Sequence, residues 1–104
     1  MIAPTANFAY RSRLEAIVRE VAAEYELTPE YLRTGARTKT NAEARHVVYY
    51  LARELTPLSS TELGLVFGKD HTTVLSGVRR CALAMRAGDG RITEIIARVR
   101  VELT

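Results

Sequence analysis

Apolar residues in this chain recur at helical spacing nearly from end to end, and nowhere alternate with polar ones as a half-buried strand would require. Leu14, Ile17, Val18, Val21, Ala22 and Tyr25 form one i, i+3, i+4, i+7 series. Ala44, Val47, Val48, Leu51, Ala52 and Leu55 form a second and stronger one. Val74, Leu75, Val78, Cys81, Ala82 and Met85 make a third series, and Ile92, Ile95, Ile96, Val99 and Leu103 a fourth. A period near 3.6 gathers each set onto one helix face, and such faces leave water only by packing against one another. The expected fold is all-α, with about six helices and the second series at its centre.

The breaks between the series carry helix start and stop signals. Thr28-Pro29 reads as an N-cap followed by proline at the first helical position, opening a short helix through Tyr31 and Leu32 that Gly35 closes. Thr40 with Glu43, and Ser59 with Glu62, each match the capping-box spacing. The central helix stops near Thr56-Pro57, and Leu63, Val66 and Phe67 then supply the apolar face of a short helix. Gly68-Lys69 turns the chain, Asp70 caps a longer helix, and Gly88-Asp89-Gly90 separates that helix from the last. Residues 1–7 are expected to be an N-terminal tail and 8–104 a single domain.

A chain of 104 residues supports one hydrophobic core but not two. No stretch approaches the roughly 20 apolar residues of a membrane helix. The start, MIAPTANFAY, lacks a basic flank followed by an apolar signal core, so no export is expected. Cys81 is the only cysteine, which excludes an internal disulfide and fits a reducing compartment. His46 and His71 lack the cysteine or carboxylate spacing of a zinc site. Asp70 and His71 are helix neighbours that point in different directions and form no relay, and Cys81 sits within an apolar stripe. No catalytic residue, cofactor or metal is expected.

Charge is unevenly placed. Residues 1–32 carry three Arg against five Glu, whereas residues 33–80 carry eight Lys/Arg against four acids, a net of +4. A basic middle between near-neutral flanks fits a face for a polyanion, or an Arg-rich solvated surface. A short helix, a tight glycine turn and a longer helix over about 60–86 describe a helix-turn-helix, whose second helix presents its first residues to base edges. The stretch "FGKDHTTVL" places Asp70, His71, Thr72 and Thr73 there, with Lys69 just before. Histidine and threonine are middling or poor helix formers, but short polar side chains at a helix tip permit close groove contact. Taken alone, Asp70 reads first as a cap.

Arg45-His46, "YYLARELT" (49–56), "SSTELGLVFG" (59–68) and "KDHTTVL" (69–75) together resemble the C-terminal DNA-binding domain, domain IV, of the bacterial replication initiator DnaA, over about residues 14–103. The resemblance implies a Trp-repressor-like helix-turn-helix fold that binds duplex boxes similar to TTATCCACA. It implies base contacts from Asp70, His71, Thr72 and Thr73, from Lys69 where the family usually has Arg, and from Arg37 in the adjacent minor groove. It implies phosphate contacts from Lys39, Arg45, His46, Ser76 and Arg80, and at the helix start Ser60-Thr61. Asn41 and Glu43 depart from the family pattern, and Glu43 would repel phosphate if it faced the duplex.

No G-x-x-x-x-G-K-[ST] phosphate loop occurs, so no ATPase activity is expected, and the chain reads as an excised domain or a stand-alone, monomeric relative that modulates replication initiation. A second reading keeps the fold but works through protein contacts with the initiator or its regulators, using Tyr49, Tyr50 and the acidic first helix, with at least one of the two tyrosines expected in the core.

Overall fold

The computed structural model describes residues 4–104, and these form six helices with no strand among them. They are α1 (Pro4–Glu24), α2 (Pro29–Thr34), α3 (Lys39–Leu55), α4 (Ser60–Phe67), α5 (His71–Arg86) and α6 (Gly90–Leu103). Of the tail expected over residues 1–7, residues 1–3 lie outside the described residues, and α1 starts at Pro4.

Helix α3 is the hub, packing against α1, α2, α5 and α6. Its Val47, Val48, Tyr49 and Leu51 are buried among Leu14, Ile17, Val18 and Val21 of α1, Val74 and Cys81 of α5, and Ile92, Ile96 and Val99 of α6. Burying one Leu, Ile or Val side chain contributes about 1.5–3 kcal/mol, so this apolar stripe dominates the energetics of the domain. Helix α4 joins through Leu63 and Phe67, whose ring meets Tyr49 edge-on at 5.3 Å between centroids.

Most stop signals act where the sequence puts them. Thr28 caps α2 by accepting from the Tyr31 N–H at 3.1 Å, and Pro29 opens that helix. At α4 the capping box is complete: the Glu62 N–H donates to Ser59 Oγ at 3.1 Å and the Ser59 N–H to Glu62 Oε1 at 2.8 Å. Gly68 then ends α4 in the left-handed region (φ 65), with the Lys69 N–H donating to the Gly64 carbonyl at 2.8 Å and the Gly68 N–H to that of Leu65. Those two bonds make a Schellman motif, which fixes the angle at which the chain enters α5.

Three local expectations are corrected. The capping box at Thr40–Glu43 does not form, because extended Thr38 is the N-cap of α3 and accepts from the Asn41 N–H at 3.1 Å. Asp70 occupies the N-cap position of α5 but makes no side-chain cap bond; only its carbonyl accepts, from the N–H groups of Thr73 and Val74. As expected for at least one of the two tyrosines, Tyr49 is 1 % exposed and packs in the core. On α5, Leu75 and Ala82 are only partly buried, and Gly77 faces inward beside Val74 and Cys81.

Candidate nucleic-acid interface

The tip of α5 stands free of the core. His71, Thr72 and Thr73 are all exposed, as is Asp70, whose carboxylate is not engaged as a cap. What anchors this tip is the turn behind it. Gly64 on α4 lies so close to the Lys69 carbonyl that a side chain there would collide with it, and the same approach brings Asp70 and His71 backbone within 3.4 Å of a Cβ. The two helices of the motif are therefore held together through backbone, leaving the polar side chains of the tip to face outward.

Beside the tip, Arg37, Lys69 and Thr73 line one groove of about 290 Å³ together with Ala42, Arg45, His46 and Tyr49. Arg37 comes from the loop between α2 and α3, and Lys69 and Thr73 from the turn and first residues of α5, so two segments far apart in sequence converge. Ala42 and His46 also line a neighbouring groove of about 320 Å³ that holds Lys39, Glu43 and Arg80. One continuous surface thus runs from Arg37 past His46 to Arg80. Ser76 is exposed on α5 as well.

The loop carrying Arg37 is tied down by Asn41. This side chain is fully buried, and its Nδ2 donates to the Ala36 carbonyl at 2.9 Å and to that of Tyr31 at 3.5 Å. Asn41 is therefore a structural brace beside an exposed arginine, a role its identity alone did not reveal. Its position three residues after the Thr38 cap was the available signal.

Arg45 and Ser60 sit differently from the other expected phosphate contacts. Arg45 is 7 % exposed and its Nη1 donates to the Leu32 carbonyl at 2.8 Å, which locks α3 onto the end of α2. Its charge still lies on the wall of the Arg37 groove, but one arm of the guanidinium is committed to structure. At the start of α4, the Ser60 hydroxyl is buried without a partner, so of the Ser60-Thr61 pair only Thr61 exposes its side chain. Any anion held there would meet backbone N–H groups rather than the Ser60 hydroxyl.

His46 packs on α5 at Gly77. A Cβ on Gly77 would sit 2.8 Å from both His46 Cδ2 and Tyr49 Cδ2, so the bare glycine is what lets the imidazole lie against α5. Partial burial, and then the charges of Arg80 and Arg45, push the His46 pKa below its ordinary value, while Glu43 opposes them. The ring is consequently neutral at neutral pH, with one nitrogen to donate and one to accept. Cys81, at the floor of the same groove, is buried, and that burial raises its pKa to about 11, which leaves it a thiol.

Glu43 does not act as an isolated acid within the basic face. It accepts from the Tyr25 hydroxyl at 2.6 Å and from Arg91 Nη2 at 2.7 Å. Burial, and then the bond to Glu43, push the Tyr25 pKa well above the usual tyrosine range. Neither Tyr25 nor Arg91 was singled out as part of this surface by its place in the sequence, since α1, α3 and α6 meet only in the fold.

Among the described residues there is no group of three metal-ligating side chains, and no helix is long and apolar enough to cross a membrane. A family model described as "Bacterial dnaA protein helix-turn-helix" matches residues 14–81. The "Chromosomal replication initiator protein DnaA" of Bartonella quintana is 46 % identical over 71 residues, covering 67 % of this chain and 14 % of that protein. The protein of the same name from Mycobacteroides abscessus is 39 % identical over 89 residues, covering 82 % of this chain and 18 % of its own length. That of Sphingopyxis alaskensis is 38 % identical over 94 residues, or 89 % of this chain and 20 % of the relative. The chain thus spans a fifth or less of these curated relatives. A family match over the helices that build the surface, together with relatives at this identity, shows that the chain belongs to the bacterial DnaA helix-turn-helix family.

Proposed function

We propose that the domain is a sequence-specific reader of duplex DNA, binding boxes similar to TTATCCACA. Asp70, His71, Thr72 and Thr73 enter the major groove, Lys69 reaches a guanine or a phosphate at its edge, and Arg37 enters the adjacent minor groove. Lys39, His46, Ser76 and Arg80 grip the strands on either side, Thr61 and the first amides of α4 hold a further phosphate, and Arg45 braces the wall between them. The observation that carries this reading is the convergence of an exposed polar helix tip with Arg37 and Lys69 in one groove, continuous through His46 with Lys39 and Arg80.

Membership of the family supports DNA binding of the replication-initiator kind, and the match lies in the helix-turn-helix module rather than in an ATPase. A protein limited to this module would occupy boxes as a monomer in the cytoplasm, at the nucleoid. It would modulate initiation by competing for sites, without ATP-driven assembly. The reading through protein contacts alone is weakened because Tyr49 is buried, which reduces its surface to Tyr50 and the acids of α1.

The test is a titration of labelled duplex carrying TTATCCACA against a scrambled duplex at two salt concentrations. A box reader keeps its preference as salt rises, because base contacts survive while counterion release weakens. Equal decay of both affinities to the same non-specific level would rule out sequence reading.

A further inference from the structure

The ion pairs among the described residues share one feature: every cation in them belongs to α6. Arg91 pairs with Glu43, Arg98 with Glu24 and Glu94, and Arg100 with Glu54. None of Arg37, Lys39, Lys69 or Arg80 is in an ion pair with an acid. For Lys39 an acid is within reach on its own helix. Glu43 follows it by four residues and precedes His46 by three, so the three side chains share one face of α3, and Lys39 and Glu43 stand at i, i+4 spacing, in the weaker of the two orders. Lys39, Glu43, His46 and Arg80 also line one groove, and Lys39 and Glu43 line a second, smaller one with Tyr25, Thr40 and Arg91.

The carboxylate instead points across to α1 and α6. One oxygen accepts a hydrogen bond from the Tyr25 hydroxyl at 2.6 Å, and Arg91 Nη2 lies 2.7 Å from both oxygens. The Arg91 guanidinium is itself set 6.0 Å from the centroid of the Tyr25 ring. The two partners therefore support each other as well as the acid.

We propose that Arg91 and Tyr25 are positioning residues for DNA binding: they hold the Glu43 carboxylate away from Lys39, His46 and Arg80 and so leave those groups available to phosphate. The proposal rests on the DNA-binding reading above and adds α1 and α6 to the machinery of the interface, although neither helix carries a proposed DNA contact. Without Arg91, Glu43 falls back on its neighbours along α3 and engages Lys39, which weakens one phosphate contact.

The experiment compares wild type, Arg91→Ala, Arg91→Lys, Glu43→Gln and the double variant Glu43→Gln/Arg91→Ala, all on duplex carrying TTATCCACA. One lost phosphate contact lowers the salt slope by about 0.9 and the affinity at 0.1 M salt by roughly 8-fold. These are the limits for complete capture of Lys39; an exposed i, i+4 pair captures it in part, so Arg91→Ala is expected to show a loss of about 2–3-fold and a smaller salt slope. Arg91→Lys, which keeps a cation beside Glu43, binds close to wild type, and the double variant recovers wild-type affinity or better, because no carboxylate remains to capture Lys39. A double variant as weak as Arg91→Ala overturns the proposal and makes Arg91 itself a phosphate ligand. An Arg91→Ala protein that binds like wild type overturns it as well. The Arg91 side chain is 60 % exposed, so these variants are expected to fold, which their melting curves check.

A second readout needs no DNA. His46 is faced by Arg45 and Arg80, by Glu43, and by Arg37, Lys39, Lys69, Cys81 and Asp89 along its two grooves. In the free protein, NMR titration of His46 should show a higher pKa in Arg91→Ala, as the released Glu43 approaches, and no comparable rise in the double variant. A His46 titration indifferent to Arg91, or one that rises equally in both backgrounds, overturns the positioning role. If wild type binds no duplex, the DNA-binding reading falls, and this titration still decides whether Arg91 holds Glu43.

Discussion

Replacing Gly64 with alanine tests the joint on which the interface depends. On an exposed helix this substitution stabilises by about 0.8–1.0 kcal/mol, because alanine is the better helix former. At Gly64 the new methyl group would enter the space of the Lys69 carbonyl oxygen, a backbone atom that no rotamer change can remove. Forcing a methyl into a filled site costs about 1–3 kcal/mol, and backbone obstruction belongs at the upper end of that range. The displaced carbonyl belongs to the residue whose N–H donates to Gly64 at 2.8 Å, so the Schellman bond is strained too, at about 1 kcal/mol. The net expectation is a loss of about 2–3 kcal/mol, or roughly 10–20 °C in Tm for a domain of this size. Gly90→Ala is the matched control: nothing lies within 4 Å of a Cβ there, and a gain of roughly half a kcal/mol is expected. Thermal and urea denaturation of both variants measure the contrast. Below its melting range Gly64→Ala should also lose affinity for the box more than for scrambled duplex, because the start of α5 has moved. A Gly64→Ala protein as stable as wild type would show that α4 and the turn separate freely, and the account of how the tip is held would be wrong.

Other perturbations probe the surface itself. Thr72→Ala should weaken the preferred box by about 1–3 kcal/mol while barely changing random duplex, whereas equal losses in gel-shift titrations would count against base reading. Arg80→Ala should weaken every duplex alike and flatten the salt dependence by about one unit; an unchanged slope removes Arg80 from the footprint. Asn41→Ala should cost about 1–3 kcal/mol of stability through the freed carbonyls of Ala36 and Tyr31, and should raise hydrogen exchange at residues 36–38. For His46 the sign is set by a folded pKa below the ordinary 6.5. The unfolded chain then binds a proton more readily than the folded one, so stability is full above about pH 6.5 and falls as pH drops toward the folded value. Melting curves across that window should flatten in His46→Gln, and an identical pH dependence in both proteins would refute the assignment.

Much of the fold was legible because its causes are local. Ser59 and Glu62 satisfy each other's backbone across one turn, Gly68 supplies the left-handed residue that ends α4, and helical spacing places Val47, Val48 and Leu51 on one face. The exposed tip at His71–Thr73 was legible for the same reason, since cap, turn and tip all lie within a few residues. The Thr40–Glu43 pair shows where local spacing misleads. Both residues fit a capping box, but a threonine two positions earlier took the cap, and a tyrosine and an arginine from other helices took the acid.

The residues alone dictate an all-helical chain, the limits of most of its helices, and a polar tip where α5 begins. The packing of the helices is what puts Arg37 and Lys69 in one groove, turns Arg45 and Ser60 inward, makes Gly64 and Gly77 points of contact, and bonds Glu43 of α3 to Arg91 of α6. Periodicity and caps involve neighbours along the chain, so a single stretch encodes them. The partner of a long charged side chain depends on which helices pack together, and no spacing within one helix specifies that.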